Sequence, residues 1–491
     1  MTAARPHGHR GAVRVGVAAA VLTAFVGAGE QSRRTLGDPP AAARSGSAPV
    51  VGATVTCPAA DAAAAVVAGS TGVGRGALRI ARLSSAAAPP QAAPPQAALP
   101  VEEAGRVVLL PRGDGAVVVE GAGAVAAGLG VELRSVDREG PVRGTSAVRC
   151  GPTGTSAWFV GGATTVGNSA QLVLVNADDA PALVDVGGWS ATGPLESRAG
   201  RGIAVPPRGR TVVELDTVAP DRDLLALHVR TTRGRVAAAL RHVRADGRTA
   251  GGVDWVPAVG PPGVEVLVAG LARGPGSRLL VVTNPGPDAT TVDLQLLTDD
   301  GAVDLPALEV PAGTSVSRSL TQELATTPVT ARVRSQGGAV LAGARMLDLQ
   351  TGPVRELSWA GAATVLSGPA LLADVALTPP AEVTLLLSAP GADAVAVLAP
   401  LPVVGRPAPP AGRTVAVPAL TTVAVRLSTL LPPGSTARLA LELRTSGGPV
   451  VAARVLRERA ATGPLTSVLP VVSSPGRVRV PVVRPDPLAG R

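Results

Sequence analysis

The amino-acid sequence predicts an all-β protein built from tandem antiparallel β-sandwiches behind an N-terminal hydrophobic helix. Three observations carry this. Short runs of Val, Leu and Thr end in Gly, Pro or Asp turns about every ten residues, the spacing of sandwich strands. One unit of domain size recurs three times, and no helix-period stretch of useful length interrupts the pattern. A chain of 491 residues is also too long for a single hydrophobic core, so several smaller cores are expected.

Composition bounds the rest. Hydrophobic residues make up 46% of the chain, mostly Ala and Val, so the cores are small and β-branched. Aromatic residues are 1% with no Tyr, which disfavours stacking surfaces for sugars or nucleic acid; no nucleic-acid partner is expected. The formal charge of +9 comes from Arg, since no Lys occurs. Arginines scattered along alternating strands read as a solvated face, with a site for an anionic polymer as the alternative.

At the amino terminus, Arg5, Arg10 and Arg14 precede the uncharged stretch Val15 to Gly29, and Arg33 and Arg34 follow. A positive segment followed by an apolar one is an export signal, which places the protein outside the cytoplasm, membrane-anchored or secreted. As a helix the apolar stretch reaches roughly 22 Å, short of the ~30 Å hydrocarbon thickness, which favours a cleaved signal. The poor cleavage context at Gly27, Ala28 and Gly29 favours a single retained anchor. Two cysteines, Cys57 and Cys150, follow the signal, and in an oxidising compartment a lone pair reads as a disulfide.

The repeats begin with QLVLVNADDA at Gln171, RLLVVTNPGPDA at Arg278 and EVTLLLSAPGADA at Glu382. Asn176, Asn284 and Ala389 correspond, giving spacings of 108 (284 minus 176) and 105 (389 minus 284). Each copy continues through a turn and strand (from Val205, Val310 and Pro409). A Gly-centred pair of apolar runs follows (from Leu227, Ala331 and Leu441) and reads as a tight β-hairpin. Trp255 and Trp359 mark the last strand of the first two copies and Val468 that of the third; a periodic Trp reads as core packing. Strands of this number and length resemble immunoglobulin-like domains in architecture, without their Cys, Trp, Cys hallmark.

Upstream, RVVLL and AVVVE flanking PRGDG read as another hairpin from Arg106 to Glu120, Val131 to Val136 as a strand, and Ala86 to Pro100 as an extended low-complexity loop. Trp158 with Phe159 is expected to plug this first domain. The resulting organisation is a signal or anchor with linker (1–45), a divergent disulfide-stapled β domain (46–166), sandwich repeats at 167–262, 263–368 and 369–480, and a tail (481–491). The structural set is therefore Cys57, Cys150, Trp158, Phe159, Trp255 and Trp359.

TCP at Thr56, the second cysteine at Cys150, WFVGG from Trp158 to Gly162, the recurring NxxxxxA turns, VPxGxT and GGxVxAxR resemble a family of uncharacterised exported proteins of high-GC Gram-positive bacteria. The resemblance runs from Val50 to Ser474. That family is described only as a domain of unknown function, so the likeness implies location and architecture and transfers no catalytic residue. Ala389 in place of the turn Asn, and the missing Trp of the third repeat, depart from the pattern.

Chemistry-bearing motifs are sparse. Gly121, Gly123 and Ala126 match GxGxxA after a strand, but too few residues follow for a crossover helix, so a Gly/Ala loop is the reading. Arg112, Gly113 and Asp114 spell RGD and are also good turn formers. His228 and His242 on the two arms of one expected hairpin lack a third metal ligand. Acid pairs such as Asp178 with Asp179 and Asp299 with Asp300 sit in turns. No catalytic, cofactor or metal residue is assigned. The expected function is that of a non-enzymatic envelope protein, a spacer, scaffold or binding module for a protein partner or anionic wall polymer. The alternative is a hydrolase whose acidic residues converge between domains.

Overall fold

The computed structural model describes residues 46–60, 64–83, 97–99, 101–110, 113–140, 142–324, 327–432, 436–474 and 476–480. The expected N-terminal helix, the tail and Arg112 lie outside these residues. The described chain is all-β; its helical elements are one four-residue α-helix, Leu215–Val218, and one 3-10 turn, Leu427–Leu430. Two compact units are present. The smaller is described by a two-stranded sheet, Gly46–Pro49 with Arg477–Val480, in which Arg477 Nη2 donates to Ser47 O at 2.7 Å.

The larger unit contains four sandwiches, spanning residues 52–149, 156–256, 265–363 and 370–471, each with eight principal strands. Numbered within each sandwich, the strands form one sheet in the order 1-6-3-4 and a second in the order 5-2-7-8. The first sandwich, which no sequence repeat marks, has this same order. A constant-type immunoglobulin domain has seven strands divided four and three; the likeness here is to two packed antiparallel sheets, not to that strand order. In the third sandwich the two sheets join where Leu267 and Val268 pair with Ala363 and Ala362.

Three expectations about the chain path are corrected. The Gly-centred pairs read as hairpins are arches between sheets. Leu225–Arg233 pairs with Ser156–Val160 and Ala182–Ser190, whereas Ala237–Asp246 pairs with Asn168–Asn176 and Thr249–Val256. Val107–Leu109 and Gly115–Gly123 likewise lie in opposite sheets. A Gly turn between alternating strands suits either path, and only packing selects one. Ala97–Leu99, within the expected loop, is the fourth strand of the first sandwich and pairs with Leu78–Ile80.

The third correction concerns Trp158 and Phe159, which open the second sandwich instead of plugging the first, because Ser156–Val160 pairs with Leu225–Arg233. Adjacent strand residues face opposite sides. Phe159 is 1% exposed in the second core, while Trp158 is half-buried on the outer face.

The turn Asn of the repeats acts as a clamp. Asn176 donates to Ala180 O (2.7 Å) and Val205 O (3.4 Å) and accepts from Asp178 N (2.9 Å). Asn284 makes the matching bonds to Asp288 O and Val310 O and accepts from Gly286 N. Both are fully buried, so each ties the turn after the second strand to the end of the fourth. In the fourth sandwich Asp393 substitutes, accepting from Ala419 N at 2.7 Å.

The sandwiches close into a ring. Ala81, Leu83 and Val118 of the first pack on Val173, Val175 and Trp255 of the second. Leu357 and Trp359 of the third enter the core of the second, and Leu386, Val451 and Val468 of the fourth enter that of the third. Leu371, Ala373 and Ala440 of the fourth return to Val67 and Val107 of the first. The eighth strands, Gly144–Arg149, Thr249–Val256, Arg355–Ala363 and Gly463–Val471, meet one another in cyclic order at the centre.

The periodic Trp residues are wedges between sandwiches. A Cβ at Gly161 (φ 147°) would lie 2.7 Å from the Trp359 ring, so glycine there is what admits the indole. Cys57 and Cys150 form a disulfide joining the first strand of the first sandwich to the residue after its eighth.

Candidate functional site

Among the polar sites between sandwiches, two gather buried charges from distant strands. The first is the ring axis, where buried polar residues of the eighth strands meet. Asp254 is fully buried and accepts from Trp359 N at 3.0 Å and from Ser467 Oγ at 2.8 Å; Ser467 Oγ in turn accepts from Ala147 N at 3.1 Å. This one chain of bonds touches all four sandwiches. Burial pushes the Asp254 carboxyl well above the usual range, against the bonds from Trp359, Ser467 and Trp255, with nearby Glu356 adding to the rise.

Glu356, also fully buried, accepts from Thr466 N at 3.0 Å and lies 3.5 Å from the Arg143 guanidinium, joining the third, fourth and first sandwiches. Burial raises its pKa to about 8, with the Thr466 bond and Arg143 opposing.

His242 borders this axis. Trp359 Nε1 donates to its Nδ1 at 3.1 Å, and because indole nitrogen only donates, the proton sits on Nε2 and goes to Asn168 Oδ1 at 3.1 Å. Burial, with Arg345 and Arg244, lowers the imidazole pKa to about 3. His228 is on the opposite sheet, so the two histidines expected on one hairpin do not meet. Its ring stacks on Trp158, 3.7 Å between centroids and 5° from parallel, and Trp189 lies 6.0 Å from Trp158. Among the described residues no three His, Cys, Asp or Glu side chains gather around a metal position.

The second site is a cleft of about 540 Å³ between the first and fourth sandwiches, with Arg134, Arg138, Arg406 and Arg438 in its lining. Asp374, under it, accepts from Arg438 Nε at 2.7 Å and Arg134 Nε at 3.1 Å, and Glu458, itself in the lining, accepts from Arg134 and from Arg138 Nη2 at 2.9 Å. Both carboxylates are buried.

A family model matches residues 110–406, more than half of the chain; its description is a family of unknown function, DUF5719. The chain belongs to this DUF5719 family. The match opens inside the first sandwich and ends inside the fourth, the two that meet at the arginine-lined cleft. No curated protein and no solved structure gives a significant match.

Of the residues singled out from sequence, the structure brings Trp359 and His242 to the axis of this DUF5719 protein, and Trp255 to the interface of the first two sandwiches. Asp178 and Asp179 pair with Arg235 and Arg208 on the surface. Sequence reasoning missed Asp254 and Glu356. The available signal was an acid within the strand of each periodic Trp, directly before Trp255 in GVDWV and three residues before Trp359 in ELSWA.

Proposed function

We propose that this protein is a non-enzymatic extracytoplasmic module of the cell envelope, a rigid ring that scaffolds or binds a partner protein or an anionic wall polymer. One observation carries the reading: four sandwiches distant in sequence are locked together by a buried chain of hydrogen bonds through Asp254 and Ser467, a device that fixes the geometry of the outer loops and clefts instead of opening a reaction chamber. The Cys57–Cys150 disulfide is compatible with an oxidising compartment, and the Arg-flanked apolar amino terminus supports export and a membrane tether.

In-cell crosslinking with mass spectrometry tests this reading. It expects a reproducible envelope neighbour and an oxidised cysteine pair; recovery in the cytosol with both thiols reduced refutes it.

The hydrolase alternative draws on Asp254 and Glu356, two acids with raised pKa that converge between domains. Against it, both carboxyls are fully buried in the ring and each accepts a backbone N–H, so neither faces a substrate arriving from solvent. A glycan-hydrolysis activity lost in both Asp254→Asn and Glu356→Gln would favour that alternative.

A further inference from the structure

We propose that the cleft between the first and fourth sandwiches is a binding site for a phosphate-bearing anion. The proposal deepens the anionic-polymer arm of the reading above and rests on it. Asp374 and Glu458 link three of the cleft's guanidiniums in the sequence Arg438, Asp374, Arg134, Glu458, Arg138, so that buried carboxylates orient the arginines before any ligand arrives. Asp374 and Glu458 are 1% and 2% exposed at their side chains, whereas Arg138 is 52% exposed and reaches the opening.

Each guanidinium carries five N–H donors, more than these pairs consume. Arg406 enters the same lining, is exposed, and has no ion-pair or hydrogen-bond partner for its guanidinium among the described residues.

The charge count selects the ligand. Four arginines stand against two carboxylates, leaving a surplus of two positive charges in one concavity, where low-dielectric walls focus the field. Behind them Arg149 and Arg454 face the single carboxylate Glu132, so the deeper layer offsets none of that surplus. One carboxylate ligand would neutralise half of it. A phosphate monoester dianion, or two successive phosphodiesters, matches it, and guanidinium forks pair with tetrahedral oxyanions through parallel N–H bonds. Among the described residues no aromatic ring lines the cleft, so a nucleobase would find none of them to stack on. The same chemistry is available from free phosphate or from a phosphodiester-linked polyol chain.

Calorimetric titration of the full chain with inorganic phosphate, and separately with a poly(glycerol phosphate) oligomer, tests the site. Saturable binding that weakens with salt is expected for at least one probe. Arg406→Ser should weaken it about tenfold, the effect of one charged hydrogen bond, while Arg198→Ser, an exposed arginine on the second sandwich with the same change in charge, should leave it unchanged. Tighter binding of the oligomer identifies a polymer strand as the source, and equal binding identifies the free anion. Absence of saturable binding by both probes, or equal losses in the two variants, overturns the site. A crosslinked envelope neighbour found alongside that negative result would leave the scaffold reading standing, so the two can fail separately.

Discussion

Replacing Glu356 by Gln should flatten the alkaline side of the protein's stability profile. The folded-state pKa of about 8 lies above the ordinary 4.5, so between these values the folded chain retains a proton that the unfolded chain has released. Stability from this group is therefore complete below about pH 4.5 and falls as pH rises through 8, with a slope approaching ~1.4 kcal/mol per unit. From pH 5 to pH 8 the wild type should lose on the order of 3 kcal/mol through Glu356 alone. Gln keeps an acceptor for Thr466 N and cannot ionise, so the variant should lack this loss. Urea denaturation at half-unit steps from pH 5 to 9 reads the difference between the two proteins, in which the other titrating groups cancel. Parallel profiles would refute the claim that a buried carboxyl holds the third sandwich against the fourth and first.

The remaining predictions concern the same ring. Trp359→Ala should cost about 3–5 kcal/mol in urea denaturation, from the cavity between the second and third sandwiches and the unpaired Nδ1 of His242, whereas Trp359→Phe, which loses the bond but keeps most of the volume, should cost less. His242, neutral in the fold down to about pH 3 but protonated below about 6.5 when unfolded, should erode stability as pH falls through that window; His242→Asn should reduce this acid slope. Gly161→Ala should lower the thermal midpoint, because the new methyl meets the Trp359 ring at a positive φ. Paired Cys57→Ser and Cys150→Ser should destabilise the first sandwich by on the order of 4 kcal/mol, given the 93-residue separation, and reductant should reproduce the shift in the parent protein.

Much of this architecture is written locally. Strand runs, turn positions, the three-fold repeat and the cysteine pair follow from alternation, from Gly and Pro at bends, and from having two thiols and no others. Alternation alone also requires Trp158 and Phe159 to part, since neighbours in a strand face opposite sides. The identity of strand order in the first sandwich was not legible, because its small Ala, Val and Gly residues satisfy the same two-sheet core without the Asn clamp that marks the second and third. Nor was the arch distinguishable from a hairpin, because both place Gly between apolar runs and differ only in which distant strand supplies the hydrogen bonds.

What the residues determine on their own is thus the period, the strand content, the turn positions and the oxidisable pair, all of which depend on interactions over a few positions or on composition. Ring closure, the sealing of Asp254 and Glu356, and the gathering of four arginines depend on pairs such as Arg134 with Glu458, 324 residues apart. Burial and charge proximity are properties of the packed volume, and no local pattern of side chains encodes which distant surface will exclude water from a carboxyl or set a second guanidinium beside the first.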